Sequence, residues 1–525
     1  MADLRLLVIV FVVSFSYVAS QPLKPPKSLL IDCGSAINST IEDRNWLADT
    51  GYITSGISRT LNTTVFDPTL STIRSFPLTK KTEKFCYIVP VKPTVKYLIR
   101  TTYYYGGINN GKHLPPVFDQ IVDGTVWTVV NTTDDYVRRD ASYYEGVFLA
   151  KRKSTSVCIG ANTYTDSDPF ISALELVELG ASVYNSTDFN AFGLSLIARS
   201  NFGYNGSIIK FPDDPFGRCW EPFGNSNPVI RQSTQNVSVS GFWNLPPSKI
   251  FETQIATDTV GPIKMQWPPG PLPNSRYYIS LYFADLRDSP SGKSRVFNIS
   301  LNGVTYYPNL NVSPAGVDVF SKSWPLSGLT DITLTPAFGS DVGPVINGGE
   351  IFNVLPLGGR THNRDATAME KVKNSLQNPP QDWNGDPCLP RHYAWSGVAC
   401  SEGSRIMVVS LNMSGMGLSG SISANIANLT ALTDIWLGNN NLSGSIPDLS
   451  KLKRLKTLHL ENNQLSGEIP SSLGNIGSLN ELFLYNNNLT GEVPNSLITK
   501  SGLNLKTTPG NRLSFSSPSP TLPPS

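Results

Sequence analysis

Between Val408 and Pro494 the apolar positions recur as L-x-x-L-x-L-x-x-N-x-L-x-G-x-I/V-P. One copy starts at Leu432, the next at Leu455 and another at Leu479, behind a looser copy at Val408; the spacings of 24, 23 and 24 residues fall in the leucine-rich-repeat period. The pattern predicts a solenoid of four repeats over residues 405–507. In each strand the side chains between the leucines point out of the stack onto one concave face. Stacking the copies aligns Asp434, Thr457 and Glu481, then Trp436, His459 and Phe483, then Gly438, Glu461 and Tyr485. A stack has no core reason to hold Trp436, Phe483 and Tyr485. Asp434, Trp436, His459, Glu461, Phe483 and Tyr485 are therefore the candidate protein-binding residues. Asn412, on the same face, stands in a sequon whose glycan would narrow access.

Upstream the period changes. Residues 27–356 consist of short β-favouring runs broken by Pro, Gly, Asn and Asp clusters, and the class is mostly β. The run from Lys96 to Tyr103 alternates, placing Tyr97, Ile99, Thr101 and Tyr103 on one face; Arg276 to Phe283 repeats this with Tyr277, Ile279, Leu281 and Phe283. Two further blocks are echoed, Val117–Gly124 by Val296–Gly303 and Pro169–Glu175 by Pro344–Glu350, and the three offsets are 180, 179 and 175 residues. This order predicts two β-sandwich modules, residues 27–180 and 181–356, with hairpin turns at Asp123-Gly124 and Asn302-Gly303. One helical pattern, residues 365–376, carries Met369, Val372 and Leu376 on one side, with Thr367 and Glu370 spaced for a capping box. It lies in a segment, residues 357–404, placed to cap the open end of the repeats. A Ser/Pro-rich tail, residues 508–525, is expected to be disordered.

Composition adds the compartment. A basic start, an apolar run from Leu6 to Val18 and small residues up to Ser20 read as a signal peptide over residues 1–20. No later stretch reaches the ~20 apolar residues needed to span a bilayer, so a secreted, extracellular protein is expected. A net charge of +2 gives no reason to expect a nucleic-acid partner. Six cysteines behind a leader suggest disulfides, and no C-x-x-C pair proposes zinc or another metal. Cys33, Cys86, Cys158 and Cys219 allow three pairings, and the sequence does not choose among them. Twelve sequons agree with secretion: Asn38, Asn62, Asn131, Asn185, Asn205, Asn236, Asn298, Asn311, Asn412, Asn428, Asn441 and Asn488.

Little in the chain proposes catalysis. Gly415 to Gly420 matches G-x-G-x-x-G, but Gly420 holds the repeat position of Gly444, Gly467 and Gly491, so the repeat explains the spacing and no cofactor is expected. Asp213, Asp214 and Glu221 are the carboxylates a glycosidase reading would need, yet adjacent acids among prolines more often start turns. The four histidines, His113, His362, His392 and His459, lie in different segments, and a non-enzyme is expected.

The blocks Ile31–Gly34, Lys96–Arg100, Pro169–Glu175, Phe211–Phe216 and Pro344–Glu350, followed by Trp383–Cys388, Trp395–Cys400 and the repeats, resemble the ectodomains of plant malectin-like, leucine-rich-repeat receptor-like kinases. The resemblance implies a tandem malectin-like region ahead of a short capped solenoid, and pairs Cys388 with Cys400. In that family the Gly385–Cys388 motif is associated with release of the malectin-like part. Two departures stand out: the transmembrane helix and kinase usual after the repeats do not follow here, and Cys219 is extra to the pattern after Pro215. Tyr103-Tyr104-Tyr105 and Tyr282-Phe283 resemble the Tyr-Phe step of the animal malectin sugar site. Aromatic rings stack on sugar C–H faces, so these five are the candidate ligand-binding residues for a cell-wall oligosaccharide. The expected function is non-catalytic recognition, of carbohydrate by the malectin-like region and of a receptor kinase or peptide by the repeats. The alternative is a structural adaptor that binds proteins only.

Overall fold

The computed structural model describes residues 27–61, 67–78, 83–107, 114–224, 229–232, 237–257, 259–287 and 293–515. The leader, His113, the sequons at Asn62 and Asn236, and residues 516–525 of the tail lie outside the described residues. The chain forms two compact units, one holding residues 182–185 and 197–351, the other residues 28–181, 186–196 and the chain from Phe352 onward.

In the unit that holds the first module, a four-stranded antiparallel sheet runs Lys84–Pro90, Ser154–Gly160, Val117–Val122, Thr125–Asn131. It packs on a second sheet in which Lys96–Tyr103 lies between Ser142–Leu149 and Ala173–Leu179. Tyr97, Ile99 and Tyr103 meet Phe118, Val122, Trp127 and Val130 between the layers. The other face of Lys96–Tyr103 is buried as well, through Leu98 and Arg100. That face carries a charge ladder across neighbouring strands. Arg100 donates to Glu145 at 2.6 Å and to Glu175 at 3.1 Å, and Arg44 reaches Glu175 at 3.1 Å. Buried charges need partners, and each rung supplies one.

The other unit repeats the plan. Its four-stranded sheet runs Ile263–Gln266, Asp331–Pro336, Val296–Leu301, Val304–Asn311. The matched blocks Val117–Gly124 and Val296–Gly303 thus form corresponding hairpins, with Asp123 and Asn302 at positive φ in the turns. Leu272–Phe283 is again buried on both faces over Tyr277–Phe283. Tyr277, Ile279, Leu281 and Phe283 enter the sandwich core. Tyr278 and Tyr282 point the other way, into a buried polar cluster around Glu350. Glu350 accepts from Tyr282 at 2.7 Å, Tyr184 at 2.5 Å and Arg199 at 2.8 Å.

Even cysteine arithmetic predicts a third bond that the structure does not have. The disulfides are Cys86–Cys158 and Cys388–Cys400. Cys86 and Cys158 face each other in paired strands, whereas Cys33 is a buried thiol in the first module and Cys219 a half-buried one in the second.

The solenoid has five repeat strands, not four: Val408–Asn412, Asp434–Trp436, Thr457–His459, Glu481–Phe483 and Asn504–Lys506, paired in parallel. The fifth repeat continues to Arg512–Ser514, so residues 508–515 of the expected tail are ordered. An asparagine in each of four repeats stitches the stack. Asn463, for example, donates to Leu437 and Leu460 carbonyls and accepts from Leu442 N–H at 3.0 Å.

The cap begins with helix Asn363–Lys373, two residues earlier than the sequence pattern predicts. Thr367 is therefore inside the helix and does not cap it. Asp365 instead is buried and accepts from Val408 N–H at 3.0 Å, while Ala368, Met369 and Val372 close the end of the leucine core. Trp383 and Trp395 stack at 4.9 Å behind them.

The cap also docks on the first module. Tyr393 donates from its hydroxyl to Asp119 at 2.9 Å and to the Ala161 carbonyl at 3.0 Å. The Lys84 ammonium donates to the carbonyls of Asp386 at 2.6 Å and Leu389 at 2.8 Å. Gly385, at φ +64°, lies so close to the Cys86–Cys158 bond that a Cβ would sit 2.8 Å from Cys86 Sγ. Beside this contact a cleft of about 560 Å³ is lined by Asp123, Lys151, Arg152, Arg360 and Lys371 among others.

Candidate functional site

The short strands of the solenoid set the geometry of its face. Parallel register places Asn412, Trp436, His459, Phe483 and Lys506 side by side in successive strands. The next column out holds Gly438, Glu461 and Tyr485, fixed by Asn439 N–H to Glu461 carbonyl and Asn462 N–H to Tyr485 carbonyl bonds of 3.0 Å each. Apolar residues of the same strands, such as Ile435, Leu458 and Leu482, fill the interior. The face residues therefore owe nothing to the core. Asp434, Trp436, His459, Phe483 and Tyr485 are half-buried, and Glu461 is 8% exposed.

These side chains order one another. The His459 and Phe483 rings stack at 4.2 Å and 12°, Lys506 Nζ sits 4.4 Å from the Phe483 centroid, and His459 Nε2 lies 3.2 Å from Glu481. The Tyr485 ring stands 6.4 Å from Phe483. Such stacked rings lose little entropy on meeting a partner, which suits a contact surface. Six candidates read from the sequence thus share one face. Lys506 was hidden from the repeat template because the fifth repeat carries one extra residue before Asn511; Asn511, which holds the stitching position, was the available signal.

The carbohydrate candidates fare differently. Tyr103 is 1% exposed, packed edge-on against Phe118 and Phe170, and Tyr105 is 3% exposed, edge-on against Tyr136. Tyr282 and Phe283 are fully buried. Alternation cannot tell a ring on a sandwich core from one on a groove, and here Tyr103, Tyr105 and Phe283 fill the sandwich cores while Tyr282 is buried against Glu350. Only Tyr104 is partly open, with its N–H bonded to Ser172. Burial pushes the Tyr103 and Tyr282 hydroxyls far above the usual tyrosine range, Glu350 adding to this at Tyr282. The carboxylates weighed for hydrolysis also separate. Asp214 is buried and holds Arg218 and Trp220 at 2.8 Å each, while Asp213 pairs with Lys249 at the surface. Among the ten sequon asparagines of the described residues, eight are exposed and Asn298 and Asn428 half-buried. Among the described residues no group of three or more His, Cys, Asp or Glu side chains could hold a metal, and no helix is long and apolar enough to cross a membrane.

Doubled β-sandwich modules and a capped leucine-rich-repeat solenoid define a modular, mostly β architecture. The malectin-like domain profile matches residues 31–354, the leucine-rich-repeat N-terminal domain residues 362–401, and the leucine-rich repeat residues 454–476 and 478–499. The chain belongs to the malectin-like family, in the form that carries leucine-rich repeats. It is 32% identical over 455 residues to a probable leucine-rich-repeat receptor-like serine/threonine-protein kinase of Arabidopsis thaliana, covering 82% of this chain and 47% of that one. A second such probable kinase of the same plant is 30% identical over 427 residues, 77% of this chain and 47% of its own. The chain thus spans about half the length of the curated relatives it matches. Among solved structures it shares its fold with the ANX2 ectodomain of Arabidopsis thaliana, at 15% identity and TM-score 0.52 over 62% of this chain and 97% of that one. It likewise resembles a chain of the plant peptide RALF23 complex with FER and LLG2, at 17% identity and TM-score 0.51 over 63% and 96%.

Proposed function

We propose that this is an extracellular, non-catalytic recognition protein whose solenoid face binds a peptide or a protein such as a receptor kinase. The observation that carries the reading is the ordered row of Trp436, His459 and Phe483, aromatic and half-buried on a face that the leucine core does not need. Interface hot spots are enriched in such rings, clustered and flanked by polar groups. The relatives are receptor-like kinases by name, and one neighbour of the same fold is described in a complex containing a peptide. Carbohydrate binding loses four of its five contact residues to the core, so the protein-binding alternative becomes the preferred one.

The test is a displayed library of random 12-residue peptides panned on the full chain and on Trp436→Ala/Phe483→Ala. Sequences retained at least tenfold better by the wild type are expected. Equal retention by both would reject the face as a binding surface. A glycan array read in parallel decides the carbohydrate arm, which requires a signal from some cell-wall oligosaccharide.

A further inference from the structure

Resting on the concave-face reading, the structure points to a chemical class for what binds there. Glu461 is 8% exposed, yet its Oε2 has no hydrogen-bond partner among the described residues. Among the described residues no cation answers it: Lys506 lies over Phe483, and His459 faces Glu481. A buried carboxylate left unpaired is costly, and proteins seldom retain one without a use. The neighbouring repeat makes room for it, because position 438 is glycine and a Cβ there would come within 2.5 Å of Glu461 Oε1. On the other side, position 485 in the same column is Tyr485. Asp434 and Glu481 carry further carboxylates two columns away, Glu481 beside His459.

We infer that Glu461 is the acceptor for a lysine or arginine side chain of a peptide ligand, with Trp436, His459 and Tyr485 bordering the cation. A guanidinium or ammonium that displaces the side chains covering this buried oxygen would satisfy it by a charge-assisted bond and lie near aromatic faces that favour cations. An acidic or neutral peptide would leave the carboxylate buried and unpaired, so charge selects against it.

The panning experiment, repeated on Glu461→Gln, tests this. Peptides selected by the wild type should share one Lys or Arg position. Synthetic copies of the best sequence should bind Glu461→Gln at least tenfold more weakly, and replacing that basic residue by norleucine should cost the wild type as much but the variant little. Equal thermal midpoints for the two proteins would show that the variant is folded. Selected peptides without a basic position, or undiminished binding of the basic peptide by Glu461→Gln, would overturn this inference and leave the concave face standing. Peptides retained equally by Trp436→Ala/Phe483→Ala would overturn both.

Discussion

Glu350 shows how much a single residue organises when it is buried. Its two oxygens gather Tyr184, Tyr282 and Arg199, and Arg218 stands 3.9 Å away, bonded in turn to Asp214. Burial alone would raise its pKa, but Arg199 and Arg218 outweigh this and hold the carboxyl below the ordinary glutamate range. Its stabilisation is therefore present at neutral pH and lost as the pH falls through that depressed value. Glu350→Gln removes the carboxylate that faces Arg199 directly and Arg218 at longer range, with Asp214 still on Arg218, and should cost about 3–5 kcal/mol. Urea unfolding followed by tryptophan fluorescence reads this through Trp220 and Trp267, both buried in the same unit. A loss under about 1 kcal/mol would mean that the cluster tolerates a neutral amide. The sequence offered this glutamate only as the end of a matched block, Pro344–Glu350, because one-dimensional pattern carries no sign of which polar residues will be buried together.

At the scale of elements, the repeats were the most legible part. Their leucines serve one purpose, so the period survives in the sequence and predicts both the strands and the faces. The fifth repeat escaped because Gly502 and Thr507 replace two template leucines and one residue is inserted before Asn511, although Leu482 and Leu505 pair in register. The cap helix was visible from Met369 and Val372, but its start was misplaced, since Asp365 bonds across to Val408 rather than within the helix. The strand Lys84–Pro90 was less legible still, since its first residue is a charged side chain that is 2% exposed. Burial pulls the Lys84 pKa down to about 8, with Asp386 and Asp382 partly opposing the shift. The unfolded chain keeps that proton to about pH 10.4, so the native state is penalised below pH 8 and gains stability as the pH climbs between the two values. Lys84→Met removes the group that titrates. The wild-type melting temperature minus that of the variant should be flat below pH 8 and rise above it. A flat difference up to pH 10.4 would show that Lys84 does not titrate in this window.

For the unit that contains the first module and the solenoid, the decisive contacts join segments more than 200 residues apart, and no local pattern announces them. Gly160 reads as an ordinary strand glycine, yet it leaves the space that the Tyr393 ring fills; a Cβ would sit 2.6 Å from it. Gly385 does the same beneath the Cys86–Cys158 bond, so the motif that the family resemblance links to release is here part of a packed contact. Tyr393 is the side chain on which this contact is best tested, because its ring belongs to the same small core as Cys86, Cys158 and Ile121 while its hydroxyl satisfies Asp119 and Ala161. Tyr393→Phe keeps the ring and removes only the two bonds, which should cost about 1–3 kcal/mol of docking. The loss belongs to the contact and not to the repeats, whose leucines and asparagine stitches are untouched. Amide exchange should therefore quicken over residues 384–398 and in strand Ser154–Gly160, and stay unchanged in Thr457–His459 and Glu481–Phe483. Faster exchange throughout the solenoid would instead mean that the cap depends on the module to stay closed, making module and repeats one cooperative unit.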